Sequence, residues 1–241
     1  MIPAEAWRGY KPESFARLAL EEGDAVLDLG CGTGEDARTL AQLVRGVSVV
    51  GVDKSAVTIA EAQRLTLGIP RPVEFRVGDA HYLDLDSGTF DACRADKVFH
   101  HLDDPAKALG ELVRVARPDG RIVVSDADYD TLVVDAPDRV LTRRILDAFR
   151  DHLPHGRIGR RLRAMLVDVG LAAVDVTAYT AIVTQYVEDV VRLREKAEDA
   201  ARTGVVSADE AARWMESVEA ADRAGRFFCA LTLFTVSGRK P

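Results

Sequence analysis

The chain has 241 residues, 47% of them hydrophobic and 29% charged, which suits a globular α/β domain long enough to bury most of its apolar surface. A formal net charge of −7 argues against a nucleic-acid-binding surface and against an anionic membrane partner, since both call for basic patches. Three scattered cysteines, Cys31, Cys93 and Cys229, make neither a disulfide framework nor a metal knuckle, so reduced thiols, no metal and a cytoplasmic location are expected.

The opening from Met1 to Arg8 has no apolar signal core, and no run is long enough to span a bilayer. Residues 1–22 read as an arm carrying Trp7 and Tyr10, with a helix running through Leu20 and ended by Gly23. Two readings stand for its aromatics: closing over a ligand, which makes Tyr10 a candidate substrate contact, or packing on a sheet.

The most informative stretch follows: Val26-Leu27-Asp28-Leu29-Gly30-Cys31-Gly32-Thr33-Gly34-Glu35-Asp36. A short apolar run, alternating glycines, and then Ala37, Leu40, Ala41 and Val44 at helical spacing predict strand, tight turn, helix. Glycine lets the backbone bend sharply and approach a ligand closely. The register is G-x-G-x-G, not the G-x-G-x-x-G of dinucleotide folds, which disfavours a nicotinamide-binding oxidoreductase.

Val47–Asp53 predicts a second buried strand ending in an acid. Asp53 follows the glycines by roughly 20 residues, the distance at which a carboxylate meets a ribose diol in mononucleotide folds. Ser55 is the next N-cap, and Gly68-Ile69-Pro70 a helix stop. A third strand, Val73–Ala80, ends in Gly78-Asp79-Ala80, and a fourth lies within Thr89–Leu102. His100 and His101 are candidate catalytic residues because histidine titrates near working pH; the competing reading of His101 is a side-chain bond that fixes the turn.

Asp104-Pro105 caps a helix through Ala116, Arg117-Pro118-Asp119-Gly120 reads as a turn, and Arg121–Ser125 as a fifth strand. At its end Asp126, Asp128 and Tyr129 are candidates for a substrate pocket, Asp126 and Tyr129 also for catalysis; an acidic solvated loop is the alternative. A helix over about Pro137–His152 precedes another, opened by Gly156-Arg157 and ended at Gly170. Its basic rim of Arg157, Arg160, Arg161 and Arg163 is either a solvated face or turns Arg157 inward to orient substrate or cofactor. Leu171–Val183 and Arg226–Ser237 alternate as the last two strands. Helical stretches over about 185–202 and 207–225, the second opened by the capping box Ser207…Glu210, form an inserted pair at 184–225. That pair either caps an active site or makes a dimer surface, so a monomer or a homodimer is expected.

The motif Asp28-Leu29-Gly30-Cys31-Gly32-Thr33-Gly34, followed in order by Asp53, Gly78-Asp79-Ala80, the His100-His101-Leu102-Asp103-Asp104-Pro105 segment and Glu111…Gly120, resembles class I S-adenosylmethionine (SAM) dependent methyltransferases. The look is closest to bacterial small-molecule enzymes of natural-product and quinone type. The resemblance implies a doubly wound seven-stranded Rossmann-like sheet of order 3-2-1-4-5-7-6, last strand antiparallel, in one domain over residues 1–241. It also implies that Asp28, Gly30, Cys31, Gly32 and Gly34 cradle SAM, that Asp53 meets its ribose, that Lys54 belongs to the cofactor site, that Gly78, Asp79 and Ala80 meet its adenine, and that Arg94 and Ala95 line its methionine end. Asp119 stands where that family usually has glycine. The implied reaction is in-line methyl transfer to a small-molecule acceptor, with S-adenosylhomocysteine (SAH) as product and a base required only for an acceptor that arrives protonated. A SAM-binding protein that senses the cofactor or catalyses a non-methylating reaction would carry the same glycines and Asp53.

Overall fold

Residues 26–29, which lead into the glycine turn, are all buried, as in a strand of a parallel sheet covered on both faces. The computed structural model describes residues 9–69 and 73–241; the expectations for Trp7 and Pro70 fall outside them. Its strands are β1 (Ala25–Leu29), β2 (Ser48–Asp53), β3 (Val73–Val77), β4 (Phe90–Asp96), β5 (Ala116–Val134), β6 (Ala172–Val183) and β7 (Cys229–Arg239). They form one sheet of order β3-β2-β1-β4-β5-β7-β6 with the last strand antiparallel, the order that the resemblance implies. β1 is paired in parallel with both β2 and β4, so the strand order reverses beside it. In open α/β sheets that crevice, at the carboxyl ends of the strands, is where ligands bind.

The helices are α1 (Lys11–Ala16), α2 (Glu35–Leu43), α3 (Ala56–Thr66), α4 (Pro105–Val115), α5 (Arg139–His152), α6 (Ile158–Asp168), α7 (Glu188–Val191), α8 (Leu193–Arg202) and α9 (Ala208–Arg223). Their starts follow local chemistry. Ser55 accepts from the Thr58 N–H, Asp104 accepts from the Lys107 N–H with Pro105 in the first turn, and Ser207 and Glu210 close a capping box.

Three expectations are corrected. The first helix stops at Ala16 rather than Leu20, and Ala19 turns left-handed at φ 45°. The stretch over 185–202 is broken into α7 and α8 by Arg192, also left-handed at φ 49°. Residues 117–120 are not a free turn but part of β5. The Asp119 N–H donates to the Lys240 carbonyl at 2.9 Å, and the Lys240 N–H donates to the Gly120 carbonyl at 2.9 Å. Asp119 has φ 64°, a conformation that favours glycine. β5 also continues through 126–130, where Asp126 and Asp128 are fully buried, so the solvated-loop reading of those two acids does not hold.

Among the described residues the chain divides into two compact units. One comprises Lys11–Asp126, Ile158–Thr177 and Phe234–Pro241, and holds two apolar clusters, one around Leu27, Phe99, Leu112 and Ile122 and one around Val26, Leu40, Val49 and Phe75. The other comprises Gly9 and Tyr10, Ala127–Arg157 and Ala178–Leu233, around Ile145, Leu193, Trp214 and Phe227. Within it the buried Trp214 indole donates to the Thr142 hydroxyl at 2.9 Å. The three cysteines are free and buried.

Candidate active site

The glycine turn hangs from β2: the Gly30 and Cys31 N–H groups both donate to the Val52 carbonyl, at 2.7 and 3.1 Å. Gly30, Gly32 and Gly34 are all left-handed, at φ 69°, 54° and 77°. Their surroundings differ. A Cβ on Gly30 would lie 2.2 Å from a Val98 methyl and one on Gly34 2.3 Å from the Phe75 ring, whereas one on Gly32 would meet nothing within 4 Å. The outer two let elements pack, and Gly32 presents bare backbone to open space. Asp53 is locked beside it, Oδ2 accepting from the Gly32 N–H at 3.0 Å and Oδ1 from the Ser55 N–H at 2.9 Å. Lys54 is exposed next to it.

Beneath the turn lies a buried ionic cluster. The Arg94 guanidinium, 1% exposed, stands 3.1 Å from Asp28 Oδ1, 2.9 Å from Asp36 Oδ2 and 3.2 Å from Asp96 Oδ2. Lys11 on α1 reaches Asp36 at 2.6 Å and Asp96 at 3.7 Å, and the Phe15 ring lies 5.0 Å from the Arg94 guanidinium carbon. Three carboxylates thus face two cations, and Asp28 Oδ2 is buried with no hydrogen-bond partner. Burial pushes Asp28 up to about 6, although Arg94 pulls it down. At Asp36 burial is outweighed by Arg94 and Lys11, and the carboxyl sits below its ordinary value.

At the end of β3 the Gly78 N–H donates to the Asp53 carbonyl at 3.0 Å, tying the two turns together. Asp79 is exposed, Ala80 is buried, and Asp79 Oδ1 accepts from both the backbone N–H and the ring Nδ1 of His81, at 2.9 and 2.7 Å. Those bonds hold its carboxyl below the usual range.

Beyond β4 a 3-10 turn, Phe99–His101, carries the two histidines. His100 is buried, and the Asp126 carboxylate grips it twice, accepting from its backbone N–H at 3.1 Å and from ring Nδ1 at 2.7 Å. With the Asp126 carboxylate accepting, Nδ1 carries the ring proton and the lone pair of a neutral ring lies on Nε2. The His101 ring packs on that of His100 at 3.8 Å, and burial with the neighbouring His100 lowers its basicity. It is the His101 backbone N–H, donating to the Val98 carbonyl, that helps close the turn. Ala95 is fully buried in β4.

The remaining candidates lie in the second unit. Tyr10 is buried, its ring 6.1 Å from that of Tyr179. Asp128 is buried and accepts from the Asp130 N–H at 3.1 Å. The Tyr129 N–H donates to the Gly156 carbonyl at 2.9 Å and its ring meets Phe149 edge-on at 5.3 Å. Arg157 pairs with Asp130 at 2.8 Å, its side chain 52% exposed. Sequence reasoning missed Lys11, Asp36, Asp96 and His81. The signal was present for the first three: Asp28 and Arg94 sit in buried strands and had to find partners.

No group of three or more potential metal ligands occurs among the described residues, and no helix among them is long and apolar enough to cross a membrane. Residues 27–124 match a family described as a methyltransferase domain. An uncharacterized 37.1 kDa protein carried in transposon TN4556 of Streptomyces fradiae is 37% identical over 98% of this chain and 68% of its own length. The O-methyltransferase resE of Aspergillus sclerotiorum is 30% identical over 68% of this chain, and the match spans 61% of that protein. The crystal structure of the YcgJ protein of Bacillus subtilis superposes with a TM-score of 0.66 at 22% identity, over 97% of this chain and 98% of that one, a likeness of fold alone.

Proposed function

This chain belongs to the class I SAM-dependent methyltransferases, and we propose that it methylates a small-molecule hydroxyl of phenol or enol type, with residues 1–241 working as one methyltransferase domain. The observation that carries this reading is the His100–Asp126 pair, a base set immediately after β4.

The residues fit the cofactor. Asp53, its carboxylate fixed by two N–H donors, would take the ribose diol, and Asp79 with Ala80 would take the adenine. The orphaned Asp28 Oδ2 would take the amino-acid ammonium, with Gly30, Cys31, Gly32, Gly34, Gly78 and Ala95 supplying close backbone and Lys54 flanking the ribose. When bound, SAM supplies an electrophilic methyl carbon on a positively charged sulfur; SAH is what remains. The chain must then align the acceptor, exclude water and take a proton. His100 Nε2 accepts the hydroxyl proton, while Asp126 keeps Nδ1–H in place and stabilises the imidazolium that forms. The O-methyltransferase name of the Aspergillus relative supports oxygen as the methylated atom. Tyr10, Asp128, Tyr129, Arg157 and His101 remain candidates for contacting the acceptor.

The test is product analysis by mass spectrometry with SAM and a panel of phenols, enols and amines. His100→Ala and Asp126→Asn should lower kcat with a hydroxyl acceptor by roughly 10²–10⁴-fold while SAH affinity holds. Undiminished kcat in His100→Ala would remove the base from the account.

A further inference from the structure

Asp79 stands at the start of a turn that the chain closes with its own backbone, the Tyr82 N–H donating to the Asp79 carbonyl at 3.1 Å. Inside that turn both bonds to the Asp79 side chain fall on Oδ1, from the His81 N–H and from His81 Nδ1. The imidazole is also held from its far edge, where Nε2 accepts from the Asp104 N–H at 3.2 Å. Asp104 is the N-cap of α4, its side chain accepting from the Lys107 N–H at 3.0 Å, and the Lys107 ammonium lies 3.2 Å over the Tyr82 ring. Since Nε2 accepts, the ring proton resides on Nδ1, and His81 donates to Asp79.

Exposure sharpens the point. The Asp79 side chain is 60% exposed and that of His81 only 15%. A carboxylate so open to solvent would ordinarily hop between rotamers and lose that freedom on meeting a ligand. Here the partly buried imidazole, anchored to α4, fixes one oxygen and leaves Oδ2 to be offered in a set direction.

We propose that His81 is a positioning residue for cofactor selection: it fixes Asp79 so that Oδ2 accepts a purine's exocyclic amine and rejects a purine bearing a carbonyl there. This rests on the reading above in which Asp79 meets the adenine. A carboxylate only accepts hydrogen bonds, so an amine satisfies it, whereas a carbonyl brings two acceptors face to face. The sharper the carboxylate's aim, the larger the discrimination between the two purines.

The experiment is calorimetric titration of the full chain with SAH and with S-inosylhomocysteine, its deaminated counterpart, for wild type, His81→Phe and His81→Asn. Wild type should prefer SAH by about tenfold or more, the size of a charge-assisted hydrogen bond made or lost. His81→Phe should shrink that preference at least about fivefold. His81→Asn, whose amide can donate in place of Nδ1–H, should restore most of it. An unchanged preference in His81→Phe, even with both ligands bound more weakly, overturns the positioning role and leaves the cofactor reading standing. Equal affinities in wild type overturn the positioning role together with the contact between Asp79 and the adenine amine, and leave only the binding of the nucleoside standing. A wild type that binds neither nucleoside overturns both.

Discussion

Asp28 is buried with one oxygen unpartnered, and its proton therefore responds to everything around it. Burial raises its folded-state value from about 3.8 to about 6, so between those values the folded chain holds a proton that the unfolded chain has released. The sign follows: Asp28 contributes stability at low pH that is lost as pH rises from about 4 to about 6. Urea unfolding across that window should show the difference between wild type and Asp28→Asn changing in this sense, by no more than about 1.4 kcal/mol per pH unit. A difference that stays flat would mean the cluster already neutralises Asp28. The glycines make a contrasting pair at the same scale. Gly34→Ala drives a Cβ into the Phe75 ring at a left-handed residue and should cost roughly 2–4 kcal/mol. Gly32→Ala, which meets no atom of the chain, should fold better than Gly34→Ala yet lose cofactor affinity. Equal melting temperatures for the two would contradict the division of roles.

At the scale of elements, what was legible in the sequence had a local cause. The strand–turn–helix at 26–43 was readable because an apolar run, three glycines and a helical stripe all sit within one stretch. The capping box was readable for the same reason, and Ser207→Ala should destabilise α9 by about 1 kcal/mol in denaturant titration; no change would show that tertiary packing alone holds that end. What was not legible depends on distant partners. Arg117-Pro118-Asp119-Gly120 has turn composition, and only Lys240, brought from the far end of the chain, makes it strand. For Asp126 the sequence left a pocket residue and a solvated loop acid both open, because nothing near it in sequence announces His100. The break at Arg192 has no signal at all, since arginine is not a residue that favours the left-handed region. Asp119 is the instructive middle case: its φ of 64° explains why glycine suits that position, and asparagine-like tolerance lets an aspartate serve there.

At the scale of the molecule, the residues proposed to cradle the cofactor, Asp28 to Gly34, Asp53, Asp79 and Arg94, all belong to one compact unit, and so do His100 and Asp126. Their order along the chain follows the strands of a parallel sheet, which is why the strand ends that carry them could be placed from the sequence. A role for Asp128, Tyr129 and Arg157 could not be read in the same way, because they carry no fixed spacing to a motif and each is engaged with neighbours in its own unit. The account therefore stands first on the cofactor. Calorimetric titration of the purified chain with SAM, SAH and NAD, beside an Asp53→Ala variant, tests it most directly. Binding of SAM and SAH, weakened at least about tenfold by Asp53→Ala and absent with NAD, is the result expected. Failure of ligand-free wild type to bind SAM or SAH would contradict it, and the glycine turn would then be a structural bend alone.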